Sequence, residues 1–398
     1  MLNLTMKEVN RYRVISEVIQ KHLKLKDAAK ILKRSERQVY RIKQRVEKEG
    51  AKGVVHKGKA KRGPRWITEK IKNKINSLYK SKYVGFNLTH MTEFLNEEEK
   101  IKVSRESIRQ ILIDSNLYSP WKKHPKHRQW REPSFREGQM LQFDTSDHAW
   151  LEERGPKLYL IGGIDDATSS CPGARFALSD SSIENMRVLK RIVETKGIPI
   201  TFYCDKDANF KATKYESIHY QLKAESAQTQ IERALKELGI QIIYANSPQA
   251  KGRVERAWGT FQDRLCSELR LHNISTLEGA NHYLLEEYIP KHNRKFAHPA
   301  KENGSVYQAV PKGTNLNNIF SIKDERTVAS DNTISYRTKY YQILPNDYRI
   351  SFVRAKVMVH EWLDGSIHIF YKDKELKNKP IPKKRAKLTR EELLTVKY

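Results

Sequence analysis

The chain is poor in cysteine, with three in 398 residues: Cys171, Cys204 and Cys266. They lie far apart and form no CxxC pair, which excludes a disulfide framework and a cysteine zinc site. His124 and His127 are close, but no cysteine accompanies them, so a zinc site is not indicated there either. No apolar run approaches the roughly 20 residues of a membrane-spanning helix. The opening Met1-Leu2-Asn3 reads as no signal peptide, because charged and polar residues soon break up the apolar ones. Acidic residues are also scarce: 47 Asp and Glu stand against 75 Lys and Arg, a formal net charge of +28. Self-repulsion at that level opposes compaction, so a polyanionic partner is expected. With no membrane segment, the expected partner is double-stranded DNA, and the expected location is cytoplasmic, on the nucleoid when bound.

What is present reads as several domains in series. Residues 1–50 form a helix-turn-helix DNA-binding domain. In "KLKDAAKILKRSERQVYRIKQRVEK", Ala28, Ala29, Ile31 and Leu32 supply the inner face of one helix. Ser35 caps the next helix, whose inner face is Val39, Ile42 and Val46. Such a second helix lies in the major groove, making Arg37, Gln38, Arg41 and Lys43 candidate DNA contacts. The alternative is a small helical bundle with a solvated basic face. Residues 51–65, "AKGVVHKGKAKRGPR", form a basic linker suited to tracking phosphates.

Residues 66–118 repeat the logic as a second helix-turn-helix or winged-helix-like module. Ser104 is its N-cap, Ile108, Ile111 and Leu112 pack inward, and Arg105 and Arg109 face outward as DNA contacts. A basic, aromatic linker, 119–137, follows; its Trp121 and Trp130 suit either base stacking or domain packing. From 138 to 300, three strands and then alternating helices and strands predict an α/β catalytic core. Residues 318–371 predict a small β-barrel, with Asp364-Gly365 as a hairpin turn. A charged tail, 372–398, completes the chain. The fold class is therefore multidomain: all-α, then α/β, then a small all-β domain.

Three carboxylates stand out in the α/β part. Asp144 in "LQFDTSD" and Asp205 in "TFYCDKD" lie at strand ends, and Glu255 lies early on the following helix, in "SPQAKGRVERAWGTFQDRL". Functional groups in open sheets gather at the carboxyl ends of strands. Carboxylates brought together repel, and a divalent cation with a preference for hard oxygen ligands removes that penalty. By spacing, Glu255 is either such a ligand or a salt-bridge partner of the cations around it. Lys251, Arg253 and Arg256 are candidate DNA contacts.

"QFD", "YCDKDANF" and "SPQAKGRVER" together resemble the DDE transposase and retroviral-integrase superfamily, whose catalytic core is RNase H-like. More narrowly, residues 10–370 are similar to bacterial insertion-sequence transposases of the ISNCY type, through "GIDDATS", "TQIERALKELGIQIIYANSPQAKGRVER" and "FQDRLCSELRL". The resemblance implies that Asp144, Asp205 and Glu255 are the catalytic and metal-binding residues, holding two Mg²⁺ (or Mn²⁺) ions. It also implies a homodimer or higher oligomer on DNA, acting on terminal inverted repeats and target DNA. Two departures matter. Lys206-Asp207 stands where integrases have Asn-Gly, and Gly259 and Gln262 stand where they have DNA-contacting lysines. The rival readings are a non-catalytic DNA-binding regulator and an RNase H-like nuclease without strand transfer.

Overall fold

The computed structural model describes residues 4–55, 67–119, 132–211, 228–245, 252–345 and 349–382. It divides into two compact units, Met1–Ile75 and Asn76–Tyr398.

In the first unit, α1 (Met6–Ile19), α2 (Leu25–Leu32) and α3 (Glu36–Glu49) surround one apolar cluster built from Val14, Ile15, Val18, Ala28, Ala29, Val39, Ile42 and Val46. The alanines let α2 approach its neighbours closely. Lys33 ends α2 in the left-handed conformation, φ 49°, and turns the chain directly into α3. Ser35 Oγ accepts the Gln38 amide at 3.3 Å, and the Gln38 side chain accepts the Ser35 amide at 3.4 Å, a capping box. Ile31 departs from expectation: it is 55% exposed. The inward stripe of α2 runs through Leu25, Ala28, Ala29 and Leu32, and Ile31 lies well round the helix from it. The segment expected as a linker from residue 51 begins as structure instead. A 3₁₀ turn, Gly50–Val54, buries Val54, whose carbonyl accepts from Arg11 Nη1 at 2.9 Å. Residues 56–66 lie outside the described residues.

The boundary between units falls within α4 (Glu69–Ser81). In the second unit, α5 (Leu88–Glu97) and α6 (Arg105–Asp114) start at Asn87 and Ser104, whose side chains accept backbone amides. Residues 67–119 hold helices and no strand, so no wing accompanies them among the described residues. Nor are α5 and α6 a free-standing module, because they are bolted to the sheet domain described next.

That domain is a five-stranded sheet. Its strands are β1 (Met140–His148), β2 (Leu158–Asp165), β3 (Gly173–Ala177), β4 (Thr201–Cys204) and β5 (Gln241–Tyr244), in the order β3-β2-β1-β4-β5. The first three form an antiparallel meander, and β4 pairs in parallel with both β1 and β5. This is the RNase H-like arrangement expected from the sequence. Helices α7 (Ser182–Lys196) and α8 (Gln230–Glu237) cover one face, over Leu141, Phe143, Phe202 and Cys204. Helices α9 (Gly252–Leu271), α10 (Leu277–Tyr283) and α11 (Ile289–Phe296) cover the other, over Trp150, Leu158, Leu160 and Phe176. Val254, Trp258, Phe261, Leu265 and Leu269 are the buried stripe of α9, and Ala257 beside them is only partly buried. Each such large side chain contributes about 2–3 kcal/mol by leaving water.

The core also extends beyond 138–300. Ser134 bonds to Asp166, and Ile198 pairs with Gln308, so residues on both sides of that range belong to it. Residues 120–131, with Trp121, His124, His127 and Trp130, lie outside the described residues.

After α12 (Leu316–Ile319), seven strands form the C-terminal all-β part: β6 (Ser321–Thr327), β7 (Thr333–Tyr336), β8 (Lys339–Ile343), β9 (Lys356–Trp362), β10 (Ile367–Tyr371), β11 (Lys374–Leu376) and β12 (Asn378–Ile381). The expected barrel is two sheets, ordered β11-β10-β9-β6 and β12-β8-β7, packed over Val357, Val359, Ile334 and Phe352. The expected tail from residue 372 supplies β11 and β12, one to each sheet, because their backbones complete the edges of β10 and β8. Only 383–398 lie outside the described residues. Asp364-Gly365 makes the β9–β10 turn as expected, with Gly365 at φ +86°.

Candidate active site and nucleic-acid interface

The parallel pairing of β1 with β4 runs Met140–Thr201, Leu141–Phe202, Gln142–Tyr203 and then stops. Extended by two residues, that register aligns Asp144 with Asp205. Adjacent strands lie about 4.8 Å apart. Asp144 is not at the end of its strand, as expected, but central in β1, opposite Gly162 of β2. Alternation puts Leu141, Phe143, Phe202 and Cys204 toward α7 and α8. Gln142, Asp144, Tyr203 and Asp205 therefore take the face that α9 covers.

The start of α9 is tied to that face. Gln142 Oε1 accepts the Val254 amide at 3.1 Å, and Gln142 Nε2 donates to Asp166 Oδ1 at 2.6 Å. Asp166 Oδ1 also holds Arg253 Nε at 3.0 Å, and the aspartate is fully buried. Arg253, a candidate DNA contact from the sequence, is thus engaged in a buried ion pair. This network fixes the first turn of α9 against β1, two residues from Asp144. Glu255 follows on that turn and is exposed.

Glu255 lines a groove of about 760 Å³, together with Arg256, Gly259 and Thr260 of α9, Arg105 of α6, and Tyr118. Arg256 donates from Nε to the Gly252 carbonyl at 2.8 Å. Arg109, expected to face DNA, instead grips Glu106 through Nε and Nη2 at 2.5–2.9 Å. Lys251 lies outside the described residues. Of the neighbouring carboxylates, Asp147 pairs on the surface with Lys157 at 2.8 Å, and Asp165 Oδ1 caps the following turn at Ala167 and Thr168. Burial pushes the Asp165 carboxyl up. His148 packs edge-on against Trp150 at 5.3 Å. Gln262, where an integrase has lysine, donates to Ser146 Oγ of β1 at 2.9 Å.

The groove's second wall is held in place by buried ions. Arg264 of α9 is bidentate to Glu93 of α5, at 2.6 and 3.1 Å, and Lys295 joins the same carboxylate. Asn87 pairs with Asp263. Deeper in, Glu268 lies 2.8 Å from His90 Nε2 and accepts from the Tyr283 hydroxyl at 2.6 Å and from Lys291 at 3.4 Å. Burial alone would raise the Glu268 carboxyl, but these donors hold it below its usual range. Removing either side of such a pair strands the other, so α5 and α6 are fixed to α9.

The donor chemistry of Asp144, Asp205 and Glu255 suits a hard divalent cation such as Mg²⁺ or Mn²⁺. No three His, Cys, Asp or Glu are already gathered for a metal among the described residues. Asp205 Oδ1 meanwhile accepts the Asp207 amide at 3.3 Å.

On the first unit, Arg37, Gln38 and Arg41 are exposed on α3. Gln38 is already used in the capping box, and Lys43 pairs with Glu47 at 3.6 Å, close to the buried stripe. The outermost stripe of α3, opposite Val39, Ile42 and Val46, is Arg37, Arg41, Gln44 and Lys48, with Tyr40 flanking. Tyr40 and Gln44 were not expected as contacts; the 3.6-residue period could have found them. Lys26, Lys30, Lys33 and Arg34 line a shallow concavity at the α2–α3 turn.

A helix-turn-helix unit and an RNase H-like sheet with Asp144 in its central strand and Asp205 just past β4 define a protein of the integrase-core class, built to handle DNA. Comparison with known proteins narrows this. Residues 2–72 match the family described as winged helix-turn helix. The chain is 31% identical over 406 residues to the transposase for insertion sequence IS1202 of Streptococcus pneumoniae, covering 93% of this chain and 85% of that one. It is 30% identical to y4bF of Sinorhizobium fredii, also named as a transposase, over 94% of this chain and 81% of that one. The protein belongs to the insertion-sequence transposases. Among solved structures, the magnesium complex of the HTLV-2 integrase catalytic core (trimeric form) is 16% identical, over 38% of this chain and 84% of that one, with a TM-score of 0.27. The simian T-cell lymphotropic virus intasome in complex with PP2A regulatory subunit B56 gamma is 13% identical, over 78% of this chain and 100% of that one, with a TM-score of 0.33. Superpositions this loose add nothing to the sheet order, on which the fold rests. No described helix is long and apolar enough to cross a membrane.

Proposed function

We propose that this transposase binds the terminal inverted repeats of its own element, cuts the DNA at the element's ends and joins the freed 3′-hydroxyls to target DNA. Hydrolysis of the end phosphodiester by water leaves the 3′-hydroxyl. That oxygen then attacks a target phosphodiester, and the target's own 3′-oxygen leaves. Asp144, Asp205 and Glu255 would hold two divalent ions, Mg²⁺ or Mn²⁺. Bound there, the ions supply Lewis-acid stabilisation of charge on the attacking and leaving oxygens. Asp144 lies within β1 and Asp205 directly follows the neighbouring β4, and the Gln142–Val254 and Arg253–Asp166 contacts hold the turn that bears Glu255. Arg256 and Arg105 face the same groove and suit the strand's phosphates. Joining two ends in one event calls for a dimer or higher oligomer on DNA.

The observation that supports this reading best is the β1–β4 register aligning Asp144 with Asp205 on the face that α9 covers. The test is cleavage and strand transfer on labelled element-end DNA with Mg²⁺, comparing the natural protein with Glu255→Gln. The expected result is that the natural protein cuts and joins, while the variant binds the DNA and does neither. A fully active variant would remove Glu255 from the site. A natural protein that binds without cutting is a regulator, and one that cuts without joining is a nuclease.

A further inference from the structure

The exposed stripe of α3 is mostly cationic, with one neutral amide in it. Gln44 lies one further turn along the helix from Arg37 and Arg41, on the side away from the core. Its Nε2 donates to the Tyr40 hydroxyl at 3.0 Å. This bond sits on the surface, and the Tyr40 side chain is 49% exposed, so it packs nothing essential. An exposed glutamine ordinarily samples several rotamers, and a tyrosine on the same face ordinarily avoids water. Together they fix the plane of one amide, with the carboxamide oxygen and the second N–H hydrogen still available.

Those two groups are the pair that recognises adenine in the major groove, the oxygen accepting from N6 and the nitrogen donating to N7. An arginine reads guanine or holds phosphate, and neither Lys43 nor Gln38 competes for the role, being engaged with Glu47 and Ser35. Building on the repeat-binding role proposed above, we infer that Gln44 reads an A·T pair within the element's terminal repeat, and that Tyr40 is the positioning residue that holds its amide for that purpose. Lys26 and Lys30 of α2, with Lys33 and Arg34 at the turn into α3, line a basic concavity beside the start of α3, suited to the DNA backbone. Pre-ordering the amide spares the rotamer entropy otherwise lost on contact, so the base preference depends on the tyrosine hydroxyl as well as on the amide.

The experiment selects binding sites from element-end duplexes randomised one base pair at a time. It uses the full chain in EDTA, so that no cutting intervenes, and compares the natural protein with Gln44→Ala and Tyr40→Phe. The natural protein should prefer adenine at one position. Gln44→Ala should lose about tenfold discrimination there and nowhere else. Tyr40→Phe keeps the ring, loses only the hydroxyl, and should relax the same position several-fold. Its salt dependence should be unchanged, because no phosphate contact is removed. A merely structural tyrosine would leave the base preference intact. If Tyr40→Phe selects the same sites as the natural protein with the same discrimination, the positioning role is overturned. If Gln44→Ala weakens all sequences equally, the reading role is overturned. A natural protein that selects no sequence overturns the repeat-binding role along with both.

Discussion

Acid should loosen the helix that carries Glu255, and His292 is the group through which this can be measured. The ring sits on α11, 4% exposed, against Phe261 of α9 and Phe296, with its Nδ1 unpartnered. Burial, and then the Arg264 guanidinium, press its pKa down from 6.5 to about 4. The unfolded chain therefore binds a proton below pH 6.5 that the folded chain refuses until about pH 4. Stability is complete above 6.5 and falls as the pH drops through that window, at about 1.4 kcal/mol per pH unit, for a total of about 3 kcal/mol. His292→Phe removes the titration. The larger ring costs about 1–2 kcal/mol through overpacking, but that offset is the same at every pH. Calorimetric melting of both proteins between pH 7 and 4.5 separates slope from offset. The difference between the two stabilities should shrink, and then reverse, as the pH falls. A difference that stays constant across the window would refute the reasoning, because it would mean that the ring is protonated alike in both states.

The other predictions concern α9. Arg253→Ala leaves Asp166 fully buried without its cation and should cost about 3 kcal/mol, seen as a lower melting temperature, with weaker end cleavage because the first turn of the helix loses its anchor. Gly259→Ala places a methyl where nothing lies within 4 Å, so it should stabilise the helix by about 1 kcal/mol in denaturant unfolding.

Much of the fold was legible because its signals are local. Ser35, Ser104 and Asp364-Gly365 act on their immediate neighbours, and the apolar periods of α3, α6 and α9 depend only on spacing. The β4 strand is a short buried run that follows the Gly197-Ile198-Pro199 turn. What misled were positions whose role is set by a distant partner. The bond of Arg253 to Asp166 joins residues far apart in the chain, and no local signal announces it. Lys374–Leu376 and Asn378–Ile381 read as tail, because a short strand with little apolar content is made by the edge it joins and not by its own sequence. Ile31 read as core because α2 is too short for its stripe to be fixed by period alone.

The candidate site divides the same way. The residue types at Asp144, Asp205 and Glu255, the basic excess and the helix-turn-helix are properties of the chain itself, since charge and periodicity need no partner. The amino-acid order alone also carries the kinship with insertion-sequence transposases over most of the length. Only the tertiary structure decided that Asp144 and Asp205 share a register, that Gln142 and Asp166 hold the turn bearing Glu255, and that α5 and α6 wall a groove beside it. Those relations join residues up to about a hundred positions apart and more, and no local signal encodes them, because register and helix docking are settled by which surfaces bury the most apolar area together.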